Sequence, residues 1–311
     1  MDPSDLVCAL PKQQHVLVTG GTGFVGSRLV AGLMAGGHAV IVLARNPATA
    51  MAALQAGARV VTSMAQIASD ARLDGIVNLA GEPISNGLWT TAKRERIVDS
   101  RVCMTRACLD LIARLEVPPK VFVSGSAIGW YGLRGNEVLD ETSTGTNCFS
   151  RDVCTAWEAA TEGAGVRTVL LRTGLVLDRS GGMLARMLTP FKLGLGGRFG
   201  DGRHWMSWIH RDDLVRLIVH CMAEPDLSGA INATAPQPVT NRDFTKALGR
   251  ALRRPAVLPV PTWPLKLALG DFARELLLGG QRVMPVRAQD SGFAFAYPDI
   301  ATALREIVGR A

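Results

Sequence analysis

Tyrosine is nearly absent from this chain, with Tyr131 and Tyr297 its only two copies. Proteins that bind single-stranded nucleic acid stack bases on aromatic rings set among basic residues, and no such interleaving occurs here. The six cysteines (Cys8, Cys103, Cys108, Cys148, Cys154 and Cys221) form no CxxC pair and no Cys/His cluster at metal-ligand spacing. A zinc site and a disulfide framework are therefore not expected, and reduced thiols in a cytosol fit best. No apolar run is as long as a bilayer span, and the opening MDPSDLVCAL puts two acids where a secretory leader needs positive charge. The expectation is a cytoplasmic protein with no metal, no nucleic-acid partner and no membrane partner.

Internal repeats and low-complexity tracts are also missing. Hydrophobic residues make up 48% of the 311 and charged residues 20%, far from the composition of disordered chains. The net charge of +7 is spread over the chain, with only short clusters such as Lys93 to Arg96. That pattern describes a solvated basic surface that helps attract phosphates.

What is present is an alternation of apolar runs. His15 to Thr19 is a short β-rich run ending in glycines, and Val25, Leu29, Leu33 and Met34 then recur at helical spacing over Phe24 to Ala35. Gly36-Gly37 stops that helix, and His38 to Ala44 is almost wholly apolar, as in a parallel strand covered on both faces. The pattern continues with a helix near Ala48 to Ala56, strands at Ala58 to Thr62 and Gly75 to Ala80, and a helix from about Ala92 to Leu115. A strand at Lys120 to Ser124, a helix around Arg151 to Glu162 and a strand at Thr168 to Arg172 follow. Strands separated by helices predict an α/β fold, a Rossmann-type doubly wound parallel sheet. After Leu177 the stretch Gly194 to Gly200 and prolines at 255, 259, 261 and 264 read as loops of a smaller C-terminal lobe that walls a small-molecule substrate site.

The run Gly20-Gly21-Thr22-Gly23-Phe24-Val25-Gly26 lies between the first strand and the first helix. A GxGxxG pattern alone is weak evidence, but in this context it predicts a dinucleotide site. Glycines let the backbone approach a pyrophosphate, and the helix N-terminus offers unpaired N–H groups. About 20 residues beyond the turn, NAD-binding sheets carry an acid that accepts from both adenosine ribose hydroxyls. This chain has Arg45-Asn46 there. A guanidinium pairs with a 2′-phosphate, so NADP(H) is the expected cofactor, the plainer alternative being an exposed arginine that merely follows a strand. Residues 14–180 are read as the NADP-binding Rossmann domain, completed by about 205–235, and 181–311 mainly as the substrate lobe.

The motifs TGGTGFVG, NLAG (Asn78 to Gly81), SGSAIGWYG (Ser124 to Gly132) and WIHRDDL (Trp208 to Leu214) make the chain resemble an extended short-chain dehydrogenase/reductase along nearly its whole length. NLAGEPI, LLRTGLVL, MSWIHRDDL, NATAPQPV and GFAFAYPD resemble, more narrowly, an epimerase-like subfamily labelled nucleoside-diphosphate-sugar epimerase. The resemblance implies that Asn78, Leu79, Ala80, Gly81 and Glu82 line the cofactor's ribose side. It also implies that Ser124 and Ser126 lie beside the nicotinamide and that Arg172 to Leu177 closes over it. Trp205, Trp208 and His210 would sit on the segment leading to the substrate lobe, although core packing for the tryptophans, a structural role for His210 and helix capping by Asp212 and Asp213 are equally consistent. Relatives are often dimers, which leaves a homodimer open.

The parent family works through a tyrosine and a lysine four residues on, and that pair is missing here. In register, Cys154 and Glu158 occupy the two positions. A thiol of intrinsic pKa about 8.5 suits proton transfer, but a carboxylate one turn away raises it, opposite to the effect of lysine. Tyr131 is read as packing, and Glu82, Cys154 and His210 remain as candidate acids or bases, with Ser126 orienting the substrate. Two readings stay open: an epimerase-like oxidoreductase acting on a small, sugar-nucleotide-type substrate, and a protein that binds or senses NADPH without turnover. Replacing Arg45 with alanine is expected to weaken NADPH by about tenfold or more and NADH by less than about twofold, since a charge-assisted bond contributes ~1.5–3 kcal/mol. Equal losses in titration calorimetry would refute the 2′-phosphate assignment.

Overall fold

The computed structural model describes residues 1–11, 13–54, 57–85 and 87–309. Among them seven strands build one parallel sheet: β1 (His15–Thr19), β2 (Ala39–Leu43), β3 (Arg59–Val61), β4 (Gly75–Asn78), β5 (Val121–Ala127), β6 (Arg167–Thr173) and β7 (Gly229–Ala233). Their order across the sheet is β7-β6-β5-β4-β1-β2-β3. The direction of winding reverses between β1 and β4, and open α/β sheets bind ligands at such a reversal.

Helices α1 (Gly26–Ala35), α2 (Pro47–Ala53), α3 (Thr91–Arg114), α4 (Phe149–Ala159), α5 (Gly182–Lys192) and α6 (Arg211–Ala223) run between the strands or connect them. They are followed by α7 (Asn241–Leu252), α8 (Thr262–Leu269), α9 (Val286–Asp290) and α10 (Ile300–Gly309). The first helix starts at Gly26, not Phe24, because residues 20–25 are spent on the turn. The fifth strand runs three residues past Ser124, carrying Ser126 into the sheet. The predicted end of the second helix at Ala56 lies outside the described residues. Beyond Leu177 the glycine and proline stretches are connections, but α5 precedes them and α6, β7 and α7 lie between them, with apolar residues at regular spacing.

The central strands are buried on both faces, with Val16, Leu17, Val18, Ile76, Val77, Phe122 and Val123 without solvent exposure. This is why their sequences are nearly continuous apolar runs. One face of the sheet packs on α1 and α6, and the other on α3 through Cys108, Leu111 and Ile112. A further core lies among Leu184, Phe191, Trp208, Phe244, Leu248 and Leu304, joining α5, α7 and α10.

Register places the site. Thr19 pairs with Asn78, Asn78 with Ser124, and Ser126 with Arg172, so the carboxyl ends of β1, β4, β5 and β6 present polar residues side by side. The Thr19 hydroxyl donates to Asn78 Oδ1 at 2.6 Å, and Asn78 Nδ2 donates to Thr105 on α3 at 3.0 Å. These bonds satisfy the buried Asn78 amide and fasten two strands to a helix.

Across the sheet's first face, Asp212 at the start of α6 is fully buried and accepts from Arg28 Nε at 2.8 Å and Nη2 at 3.0 Å. This forked pair ties α6 to α1, the helix that follows the glycine turn. Removing the carboxylate leaves the mostly buried Arg28 without its forked partner, and breaking a buried pair costs about 3–5 kcal/mol. Asp212→Ala is therefore expected to lower unfolding free energy by about 3 kcal/mol in urea titration; a loss below about 0.5 kcal/mol, the range of ordinary surface substitutions, would contradict the buried pair.

Candidate active site

The glycine turn closes on itself through Gly23 N–H to Gly20 O at 2.9 Å, and Ser27 N–H donates to Gly23 O at 2.9 Å. Gly20 has φ +69°, and a Cβ there would lie 2.8 Å from the Leu79 carbonyl and 2.9 Å from Ala80 N. The turn therefore lies directly against the Leu79-Ala80 backbone, an approach only glycine permits. Gly26 is equally confined, since a Cβ would collide with Gly20 O. No side chain caps the N-terminus of α1, and Thr22 and Gly23 are exposed. The entrance to the helix thus carries no side-chain cap.

Arg45 and Asn46 are exposed just beyond β2. Glu82 is held by Lys93, whose Nζ donates to Oε1 at 2.6 Å, and this bond keeps the carboxyl below the usual carboxylate range. A carboxylate so stabilised does not serve as a general acid near neutral pH. Gly81 lies under Arg101, whose Nη1 donates to the Glu82 carbonyl at 3.0 Å and whose guanidinium stacks 5.0 Å from the Trp157 ring.

Where the tyrosine and lysine are missing, the structure brings Ser126, Cys154 and Glu158 together. The Ser126 hydroxyl donates to Glu158 Oε1 at 2.6 Å. Arg172 grips the same carboxylate with Nε on Oε1 and Nη2 on Oε2, each at 2.9 Å. Its guanidinium also lies 3.7 Å from the Trp130 ring and donates from Nη1 to Tyr131 Oη at 3.2 Å. Arg172 is thus drawn onto Glu158, since a largely buried carboxylate requires a partner. Cys154 is buried, its Sγ donates to the Ala127 carbonyl at 3.5 Å, and burial, with Glu158 adding, pushes the thiol up to about 12. The thiol is therefore protonated at neutral pH and is not the poised proton carrier its intrinsic pKa suggested. Ser124 is fully buried in the row with Asn78.

The remaining candidates are structural. Tyr131, in a tight turn over Ile128–Tyr131, donates to Asn232 Oδ1 at 2.7 Å and has no exposure. His210 caps α6: its Nδ1 accepts from Asp212 N at 3.1 Å, its Nε2 lies 3.1 Å from Glu306, and burial lowers its pKa. The cap is thus His210 and not the two aspartates. Asp213 instead accepts from the backbone N–H groups of Ala296 and Tyr297. Trp208 is core, while Trp205 is half-buried and donates to Asn136. Lys93 and Arg101, both against the Glu82 loop, were missed in the sequence. They are eight residues apart on α3 with Ile97 between them, a helical spacing that marks one face.

The model of the NAD dependent epimerase/dehydratase family matches residues 16–233, and a domain of unknown function matches residues 260–307. The chloroplastic epimerase family protein SDR39U1 homolog of Arabidopsis thaliana is 40% identical over 97% of this chain and 90% of its own. The crystal structure of human epimerase family protein SDR39U1 (isoform 2) with NADPH has a TM-score of 0.87 at 34% identity, covering 96% of this chain and all 100% of that one. The nucleoside-diphosphate sugar epimerase of Corynebacterium glutamicum has a TM-score of 0.76 at 35% identity over 99% of this chain, which spans 60% of that protein.

The thiol environment is open to direct measurement. Alkylation of the folded protein near about pH 8 is expected to modify the exposed Cys8 and Cys103 and to spare Cys154 until the chain is denatured. Labelling of Cys154 at the rate of Cys8, read by peptide mass spectrometry, would show instead an accessible thiolate.

Proposed function

The chain belongs to the NAD dependent epimerase/dehydratase family, and on that footing we propose that it is an NADP(H)-binding, epimerase-like oxidoreductase acting on a small substrate of the sugar-nucleotide class. The observation that carries the cofactor half of this reading is the glycine turn with its uncapped helix and with Arg45 in place of an acid. The residues fit the group. The turn accepts a pyrophosphate at the entrance to α1, Arg45 and Asn46 take the 2′-phosphate, and Leu79, Ala80, Gly81 and Glu82 line the ribose side. When bound, the nicotinamide supplies or accepts a hydride. Ser126 orients the substrate, and the residues beyond 180 wall it in. The likeness to a nucleoside-diphosphate sugar epimerase supports the substrate class. Six free cysteines, two of them exposed, support a reducing compartment such as the cytosol. Among the described residues no helix is long and apolar enough to cross a membrane.

One observation favours a second reading, in which NADPH is held and sensed without turnover. The Ser126 proton is given to Glu158, the Tyr131 proton to Asn232 and the Cys154 proton to Ala127. These two hydroxyls and one thiol therefore spend their hydrogens on the protein, while Arg172 is paired with the Glu158 carboxylate.

The two readings separate in one experiment. Purified protein saturated with NADPH is followed by absorbance of the reduced nicotinamide against a panel of carbonyl compounds and sugar nucleotides. The oxidoreductase reading expects oxidation that Ser126→Ala slows by about tenfold or more, within the usual contribution of a positioned proton-handling group. Tight NADPH binding with no oxidation across the panel would remove it and leave the sensing reading.

A further inference from the structure

Two short strands outside the main sheet, Leu175–Leu177 and Trp208–His210, run parallel, with Leu177 opposite His210. The residues that follow them, Asp178 and Arg211, therefore leave the pair side by side, and Arg211 Nη2 lies 3.2 Å from Asp178 Oδ2. Asp178 is 3% exposed, so its charge requires that partner. Its other oxygen, Oδ1, accepts from the Ser180 backbone N–H at 2.8 Å and from the Ser180 hydroxyl at 2.7 Å. Arg211 Nη1 donates to the same hydroxyl at 2.7 Å. Residues 178–181 are thereby bent into a tight loop, closed by a backbone bridge between Asp178 and Gly181.

What that loop holds is Phe24. A Cβ on Gly181 would lie 2.5 Å from Phe24 Cδ2, and one on Gly182 would lie 3.2 Å from Cε1, so the ring rests directly on the loop backbone. The Arg211 guanidinium is 5.5 Å from the ring centroid. Phe24 is the only aromatic residue between Gly20 and Gly26, where four of the seven residues are glycine. A chain so rich in glycine has much backbone freedom to lose on taking one shape, and an anchored side chain removes part of that freedom in advance. Just beyond the turn, Arg28 is bound to Asp212, the neighbour of Arg211. The first two residues of α6 thus brace the turn at Phe24 and at Arg28.

We propose that Arg211 is a positioning residue for the dinucleotide: through Asp178 and the loop at 178–182 it seats Phe24, and so sets the glycine turn in its phosphate-binding shape before the cofactor arrives. This role, which rests on the reading of that turn as the pyrophosphate site, is indirect. With its guanidinium engaged by Asp178 and Ser180, Arg211 acts on the ligand by way of Phe24. Gly182 begins α5, whose Leu184, Met187 and Phe191 lie in a core shared with Phe244 and Leu304, so the same loop joins the cofactor turn to the C-terminal lobe.

The test is the dissociation constant of NADPH, measured by titration calorimetry on the full chain well below the melting temperature of each variant, where a loss of global stability alone leaves affinity unchanged. Arg211→Met is expected to weaken NADPH by about tenfold, the factor that ordering one or two residues at the moment of binding requires. It should also speed amide hydrogen exchange across residues 20–27 in the cofactor-free protein. Gly181→Ala makes the same test without altering any charge. The backbone there is extended at φ −174°, which alanine adopts freely, so the added methyl group acts only by pressing on Phe24. It should produce both changes. Wild-type affinity in the two variants, or weaker binding with unchanged exchange in the turn, would overturn the positioning role and leave the turn as the pyrophosphate site. Absence of NADPH binding by the wild-type protein would overturn both.

Discussion

A carboxylate taken out of water must be met by charge and hydrogen bonds, and Glu158 is the group around which the centre of this protein is arranged. It recruits Arg172 from β6 and Ser126 from β5. Arg172 in turn lies against Trp130 and Tyr131, and Tyr131 reaches Asn232 on β7. Asn232 then donates to the Met284 carbonyl and receives Glu141 at its own N–H. One largely buried charge thus fixes the relative placement of a helix, three strands and the chain near residue 284. Such a network is stable only when every member is satisfied, which is why its hydrogens point in fixed directions.

That direction has a chemical consequence. A lysine beside a tyrosine lowers the phenol's pKa and leaves a proton to move. Glutamate in the same place does the reverse, and the neighbouring thiol is driven toward its neutral form by burial and by the carboxylate together. The cofactor half of the site is unaffected by this exchange. The glycine turn, pressed against Leu79 and Ala80, and the uncapped entrance to α1 are backbone features on the other side of β4. The fold therefore keeps the means of holding a dinucleotide while the usual means of moving a proton is withdrawn.

Much of this was legible in the sequence because it is local. Strands buried on both faces must be apolar throughout, so β1, β2 and β4 announce themselves, and the glycines of the turn are dictated by contacts within a few residues of chain or with one adjacent strand. The alignment of Cys154 and Glu158 with the missing pair rests on helical spacing, and α4 does set both beside Ser126 and Ala127. Other features depend on residues far apart in the chain. That Arg172 pairs with Glu158, fourteen residues away, follows only from the fold. His210 looked like a base until its ring was found capping α6 against Glu306. Lys93 stood out only as the start of a short basic cluster and Arg101 not at all, because nothing nearby in sequence shows that their helix face meets the Glu82 loop.

The sequence by itself determined the alternation of strands and helices, the glycine turn and the identity of the residue at each strand end, because periodicity and backbone sterics act over a few residues. Only the tertiary structure decided which of those polar residues face a ligand and which are consumed by one another. Burial sets the energy of every charge and proton in this site, and burial is a property of what the whole chain folds around it.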